Sequence, residues 1–373
     1  MAHPKEAGTM AEDYIFTENM TVGYGKMPLI AQIEIHVKRG QIVTLIGPNG
    51  AGKSTILKSI IRQIDLLGGA VYLDRASMKD MTEKQIARRM SVLMTERIRP
   101  ELMTCEDVVA TGRYPYTGRL GILGREDREK VREAMELVHA GDLGGRDFME
   151  ISDGQKQRIL LARAICQEPE AIVLDEPTSF LDIRHKLELL TILKDLVREK
   201  QVAVLMSLHE LDLAQKLSDY IVCVNGDTIE RLGTPEEIFT SSYITQLYGI
   251  SKGSYHAELG CLEMEPVKGK PEVFVIGGNG SGIPVYRKLQ RRGIPFAAGI
   301  IHENDIDYPV ARALAAEVVS EAPFELIKDR TYERAAALLA SCERVICCIE
   351  DFGPVNEKNR RLAELGKHKE KYI

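Results

Sequence analysis

The chain has 373 residues, 44% of them hydrophobic and 28% charged, with 49 basic side chains against 55 acidic ones for a formal charge of −6. This is the composition of a folded chain of two or more domains, not of a disordered or fibrous one. The acidic balance argues against broad nucleic-acid binding, which needs Lys and Arg to neutralise phosphates. Cys105, Cys166, Cys223, Cys261, Cys342, Cys347 and Cys348 form no CxxC pair, so reduced thiols are expected rather than a disulfide framework.

The first residues, MAHPKEAGTMAEDY, contain no apolar core, and no secretory leader is expected. No run of about 18 apolar residues follows that would cross a bilayer. From about residue 13 to about 250, apolar runs alternate with amphipathic stretches, which predicts a parallel sheet covered by helices. Gln41–Ile46, Ala171–Leu174, Val202–Ser207 and Tyr220–Val224 read as strands, and Ser54–Asp65, Gln155–Gln167 and Ile183–Glu199 as helices. The charged stretch Arg125–His139 reads as part of a helical insert. Residues 251–271, with glycines, prolines and charges, read as a linker. Beyond it, the run Val273–Ile276 leads into Gly277-Gly278-Asn279-Gly280-Ser281-Gly282 and an amphipathic helix to Arg292. Strands at Pro295–Ile301 and Val345–Ile349, with helices near Tyr308–Ser320, Tyr332–Ser341 and Val355–Glu364, predict a small Rossmann-like α/β domain over 272–373.

Gly47-Pro48-Asn49-Gly50-Ala51-Gly52-Lys53-Ser54-Thr55 fits G-x-x-x-x-G-K-[ST] between a predicted strand and a predicted helix, the context that makes it a phosphate loop. Gly47, Gly50 and Gly52, with Asn49 beside them, let the backbone wrap phosphates so that N–H groups point at negative charge. Lys53 supplies a cation to the β/γ-phosphates, Ser54 is placed to ligate Mg²⁺, and Thr55 reaches toward the α-phosphate. Asp175 and Glu176 follow a buried strand, where α/β sheets build their sites. Asp175 suits a Mg²⁺–water contact and Glu176 a general base for the attacking water.

These residues and their neighbours resemble the nucleotide-binding subunit of ATP-binding-cassette (ABC) transporters. The likeness rests on Ile151-Ser152-Asp153-Gly154-Gln155-Lys156-Gln157-Arg158, similar to the family signature, on Pro177-Thr178-Ser179-Phe180-Leu181-Asp182, similar to its D-loop, and on Leu208-His209-Glu210, similar to its switch-histidine loop. It covers residues 13–250 and implies a P-loop ATPase fold of that type with a helical subdomain, using ATP and Mg²⁺. It further implies a head-to-tail homodimer in which Ser152, Gly154 and Gln155 serve the partner's γ-phosphate. His209 would contact the γ-phosphate from its own subunit, Tyr24 would stack on adenine, and Asp182 would communicate across the dimer. ATP would close that dimer and hydrolysis would release it, by differential contacts in two states.

Two departures from the family pattern stand out. The signature carries Asp153 where a glycine is usual, and Asp153 is expected to point away from phosphate as a helix N-cap. At the Q-loop, Thr95 or Glu96 takes the place of the glutamine that would contact the metal. The run Val108–Tyr116 resembles importers of iron–siderophore, haem and cobalamin complexes, as does Phe180–His185. By that likeness, Arg113 and Tyr114 would face a membrane permease, and an extracellular substrate-binding protein would act through it. The chain is then expected at the cytoplasmic face of the membrane, peripheral, with no nucleic acid as partner. A soluble or nucleotide-gated regulatory ABC ATPase is the alternative.

In residues 272–373 the glycine run does not give strict G-x-G-x-x-G, although Glu303, Asp305 and Asp307 stand where a ribose-binding acid would. Nucleotide binding and a regulatory or dimerisation module that needs only a tight turn both remain open readings, and no role follows for this domain. Cys347 and Cys348 read as part of a buried strand.

Overall fold

The computed structural model describes residues 13–94, 100–118, 120–179, 181–257 and 259–369. They form two compact units, the first ending at Phe239 and the second beginning at Thr240.

The first unit opens with β1 (Asp13–Tyr24), β2 (Met27–Ile33), β3 (His36–Lys38), β4 (Ile42–Ile46), α1 (Lys53–Ile60), β5 (Gly68–Leu73), β6 (Ala76–Ser77), α2 (Glu83–Ala87) and β7 (Met90–Leu93). It continues with α3 (Cys105–Ala110), α4 (Arg125–Leu137), α5 (Asp153–Cys166), β8 (Ala171–Asp175), α6 (Ile183–Lys200), β9 (Ala203–Ser207), α7 (Leu211–Leu217), β10 (Tyr220–Asn225), β11 (Thr228–Gly233) and α8 (Pro235–Ile238).

The central sheet runs β11-β10-β4-β9-β8-β7, parallel throughout except for the antiparallel edge strand β11. Every residue of β4, β8 and β9 is buried, which is why these segments read as unbroken apolar runs. A separate antiparallel sheet, β2-β1-β5-β6 with β3 on β1, has no counterpart among the predicted strands. Its longest strand mixes Thr17, Glu18 and Asn19 with Ile15, Phe16 and Met20, so no apolar run announces it. Ile15, Met20, Val22 and Val71 of this sheet join Val43, Leu45, Ile56 and Leu57 in one core. Helix α1 stops at Ile60 rather than Asp65, because Arg62 turns to φ +62° and donates through Nη1 to the carbonyls of Met78 and Met81.

Helices α3, α4 and α5 pack together as the helical subdomain. Arg113 belongs to its interior. It is 3% exposed, with Nε on Asp127 of α4 at 2.9 Å and Nη1 on the Cys166 carbonyl at 2.9 Å and Glu168 at 2.8 Å. Such a buried, fully paired guanidinium holds helices together, so the expectation that Arg113 faces a partner is corrected. Its neighbour Tyr114 is exposed.

The second unit consists of α9 (Ser241–Leu247), β12 (Ser254–His256), β13 (Cys261–Glu263), β14 (Val273–Ile276), α10 (Ile283–Arg291), β15 (Phe296–His302), α11 (Asp307–Leu314), β16 (Glu317–Glu321), α12 (Asp329–Ser341), β17 (Arg344–Cys347) and α13 (Glu357–Gly366). The stretch expected to be linker therefore contains a hairpin. Tyr255 in β12 is buried, and Glu263 in β13 accepts from Nε of Arg287 in α10 at 3.1 Å. Strands of three residues leave too little pattern to read from sequence.

The sheet order β16-β15-β14-β17, all parallel, is the 3-2-1-4 order of a Rossmann half. One core lies on each face, around Tyr286, Phe296 and Val310 on one side and Phe274, Ala335 and Leu339 on the other. The helix predicted to reach Ser320 ends at Leu314, because Ala315 turns extended and the chain enters β16. Cys347 ends β17 and Cys348 follows it, both half-buried.

Candidate active site

The site grows from the C-terminal ends of β4, β8 and β9. Gly47, directly after β4, has φ +147°, and a Cβ there would lie 2.0 Å from the Val224 carbonyl oxygen. Only glycine lets the chain turn at this crossing. Asn49 and Gly50 form the exposed tip, and Gly52 at φ +99° leads into α1.

Lys53, the first residue of α1, is 4% exposed and donates through Nζ to the carbonyls of Gly47 at 2.7 Å and Pro48 at 3.0 Å. Burial pulls its pKa down, while the charges of Glu176 and Asp175 push it back up. Ser54 Oγ donates to Asp175 Oδ1 at 3.0 Å, and Ser207 Oγ donates to the same oxygen at 2.7 Å. Thr55 Oγ1 lies 3.1 Å from the hydroxyl of Tyr24, whose ring is 59% exposed at the end of β1 beside the loop.

Glu176 holds φ +48°, a left-handed conformation that costs a non-glycine residue energy and recurs at functional sites. Its N–H donates to Ser207 Oγ at 2.9 Å, its Oε2 accepts from Ser179 Oγ at 3.1 Å, and its Oε1 is hydrogen-bonded to His209 Nε2. A carboxylate only accepts, so Nε2 of that imidazole carries the hydrogen. The next residue, Glu210, accepts from Thr178 Oγ1 at 2.9 Å and Lys186 Nζ at 2.5 Å. Burial would raise its pKa, but these hydrogen bonds win and lower it.

The structure thus brings Tyr24, Lys53, Ser54, Thr55, Asp175, Glu176 and His209 into one constellation. It adds Ser207, which sequence reading missed because a serine ending an apolar strand carries no motif. Ser54 Oγ and the Asp175 carboxylate are hard oxygen donors side by side, which fits a Mg²⁺ whose sphere is completed by phosphate and water. Thr95 and Glu96 lie outside the described residues.

Ser152 caps α5. Its Oγ accepts from the N–H of Gln155 at 3.3 Å, and Gln155 Oε1 accepts from the N–H of Ser152 at 2.9 Å, a reciprocal capping box. The expectation that Asp153 is this cap is corrected. Asp153 is instead the first helical residue, because the extended backbone that a cap requires belongs to Ser152 (φ −65°, ψ 158°). As an exposed acid in the first turn it suits the helix dipole. Gly154 follows on the same turn.

The glycine loop of the second unit is built otherwise. Both carboxylate oxygens of Asp305 accept from the N–H of Asn279, at 3.0 and 2.8 Å. Asp307, fully buried, accepts from Gly282 N–H at 2.9 Å and Ile283 N–H at 3.2 Å, at the head of α10. Burial raises the Asp307 pKa, and these N–H groups pull against it. A Cβ on Gly277 or Gly282 would come within 2.5 or 2.4 Å of the Tyr286 hydroxyl. Close packing beneath the loop therefore accounts for both glycines. Glu303 bonds to Ser320 Oγ at 3.1 Å and the Tyr308 hydroxyl at 3.4 Å.

Both units resemble known proteins. A family model described as "ABC transporter" matches residues 30–179. An uncharacterized ABC transporter ATP-binding protein of Methanocaldococcus jannaschii, MJ0873, is 39% identical over 76% of this chain and 98% of its own length. The iron(3+)-hydroxamate import ATP-binding protein FhuC of Bacillus subtilis is 36% identical over 63% of this chain and 87% of its own length. A solved dimeric post-hydrolysis structure of the ATP-binding cassette MJ0796, bound to ADP and Pi, shares the fold at a TM-score of 0.53 and 24% identity, covering 59% of this chain and 98% of that one. Residues 296–373 match the MJ0874 family.

Proposed function

Since this chain belongs to the ABC transporter family as an ATP-binding, ATP-hydrolysing subunit, we propose that residues 47–55, Asp175, Glu176 and His209 carry out the hydrolysis that drives import of a metal chelate or cobalamin-like compound. The observation that carries this reading is the linked set Ser54–Asp175–Ser207–Glu176–His209 at the ends of β8 and β9, next to Lys53. Backbone N–H groups of the Gly47–Gly52 loop and the head of α1 bind the phosphates, with Lys53 as point charge. Ser54 and Asp175 would hold Mg²⁺, which would supply charge neutralisation at the phosphates. Glu176 takes the proton of the water attacking the γ-phosphorus. His209, donating through Nε2, keeps the Glu176 carboxylate aimed. Tyr24 offers its exposed ring to adenine.

Two copies meet head to tail, each signature (Ser152, Gly154, Gln155) completing the phosphate site of the other. Among the described residues no helix is long and apolar enough to cross a membrane, so the membrane path comes from a separate permease. The chain works on the cytoplasmic face, with a substrate-binding protein on the far side. The iron–hydroxamate relative and the run Val108–Tyr116 support a chelate as cargo.

ATP-dependent dimerisation of Glu176→Gln tests this reading, because that change removes the base and leaves the binding groups intact. Turnover is expected to fall by about 10²–10⁴-fold, with a dimer in light scattering only when ATP is present. Near-normal turnover would remove Glu176 from the role, and a chain that binds ATP without dimerising would remove the shared site.

A further inference from the structure

We propose that His185 is a positioning residue that joins the signature to the D-loop of its own subunit, so that the partner's ATP meets both as one rigid piece. This rests on the head-to-tail reading above. His185 lies in the first turn of α6, and its Nδ1 stands 2.9 Å from Oδ1 of Asp182, the N-cap of that helix. The same oxygen accepts from the backbone N–H of His185 at 2.9 Å. Since a carboxylate only accepts, the imidazole carries a hydrogen on Nδ1 and its plane is held in place. The ring then covers Gly154. A Cβ built there would lie 3.1 Å from Nδ1, 3.3 Å from Cγ and 3.5 Å from Cε1.

A side chain at position 154 would press on this ring, which would have to give by a few tenths of an ångström. One turn further along α5, Gln157 Nε2 donates to the carbonyl of Pro177 at 3.0 Å, tying α5 a second time to the segment between β8 and α6. That segment also carries Ser179, bonded to Glu176. A displacement of the signature by the partner's γ-phosphate is therefore felt at Asp182 through the imidazole. The hydrolytic carboxylate sits at the other end of the same turn.

The role separates from simple folding by comparing two equilibria in the full-length Glu176→Gln chain: binding of a fluorescent ATP analogue to the dilute monomer, and ATP-dependent dimerisation by light scattering. Adding His185→Ala is expected to leave monomer binding unchanged while raising the ATP concentration for half-dimerisation about tenfold, the size commanded by one hydrogen bond and its packing. His185→Asn keeps a planar N–H donor in the place of Nδ1 and is expected to restore dimerisation to within about twofold of the parent.

Equal dimerisation of the parent and the His185→Ala chain would overturn the proposal, as would His185→Asn behaving like His185→Ala. If His185→Ala also lost monomer binding, His185→Asn would decide by the same criteria. A parent Glu176→Gln chain that binds ATP but never dimerises would sink the head-to-tail reading itself, and this proposal with it.

Discussion

In the first unit, Gly47–Gly52 leave β4 and deliver Lys53 and Ser54 into α1; in the second, Gly277–Gly282 leave β14 and enter α10 with no cation and no hydroxyl at the helix start beyond Ser281. Around the first loop the acids Asp175 and Glu176 accept from side chains, Ser54, Ser207, Ser179 and His209. Around the second, Asp305 and Asp307 accept from the loop's own backbone N–H groups. Glu321 at the end of β16 also accepts from backbone, the N–H of Lys328 at 2.9 Å and of Ala322 at 3.2 Å, and from the Thr331 hydroxyl at 2.8 Å. The acids near the first loop are thus held by side chains, whereas those near the second take up the Asn279, Gly282 and Ile283 N–H groups of the loop and the helix head. Here the second loop carries its anions in the chain, which favours the tight-turn reading over nucleotide binding.

Lys53→Ala removes the cation from the first loop and is expected to lower hydrolysis by at least about 10²-fold. In that variant neither a fluorescent ATP analogue nor NADH should bind at the second loop, and saturable binding of either would break the contrast. Asp307→Ala leaves the N–H groups of Gly282 and Ile283 without their acceptor inside the protein. Chemical denaturation of the second unit should show a loss of about 2–4 kcal/mol, and an unchanged midpoint would mean that the carboxylate does not hold the loop.

Acid titration sharpens the contrast further. Burial opposes ionisation of Glu321, but the Lys328 N–H, the Thr331 hydroxyl and the Ala322 N–H outweigh it and hold the pKa at about 2 against 4.5 for the free group. A carboxyl depressed by folding stabilises the folded state above its unfolded pKa and loses that contribution as pH falls toward its folded one. The stability gap between the parent and Glu321→Gln should therefore be fully open above pH 4.5 and close toward pH 2. A gap independent of pH would show that the glutamate acts by packing alone. The smallest effect concerns the Tyr286 hydroxyl, which is buried with no hydrogen-bond partner among the described residues. Tyr286→Phe should be neutral or stabilising by up to about 1 kcal/mol, and a marked loss would reveal a partner for the hydroxyl.

The proposed catalytic constellation was legible before the fold because its parts are dictated locally: a loop that wraps phosphate needs glycine, lysine and a hydroxyl at fixed offsets, and a strand that delivers acids to a sheet edge ends in them. Residues that act through shape left no such trace. Ser207 is one serine at the end of an apolar strand, His185 one histidine in a charged helix, and Arg113 reads as facing a permease until Asp127 and Glu168 close on it. The antiparallel sheet around β1 and the β12–β13 hairpin escaped notice for a related reason, since polar residues interrupt the first and the second spans only three residues per strand.

From the residues alone came the α/β class, the phosphate loop, the paired acids after β8 and the Rossmann-like character of the second unit, because each depends on periodicity or on a short motif with one physical use. Tertiary structure alone decided that Asp305 and Asp307 take up donors of the second glycine loop, that Ser152 rather than Asp153 caps α5, and that His185 covers Gly154. Those outcomes depend on which distant side chain arrives at a given backbone group, and residues far apart along the chain, such as Gly154 and His185, meet only once the sheet has closed.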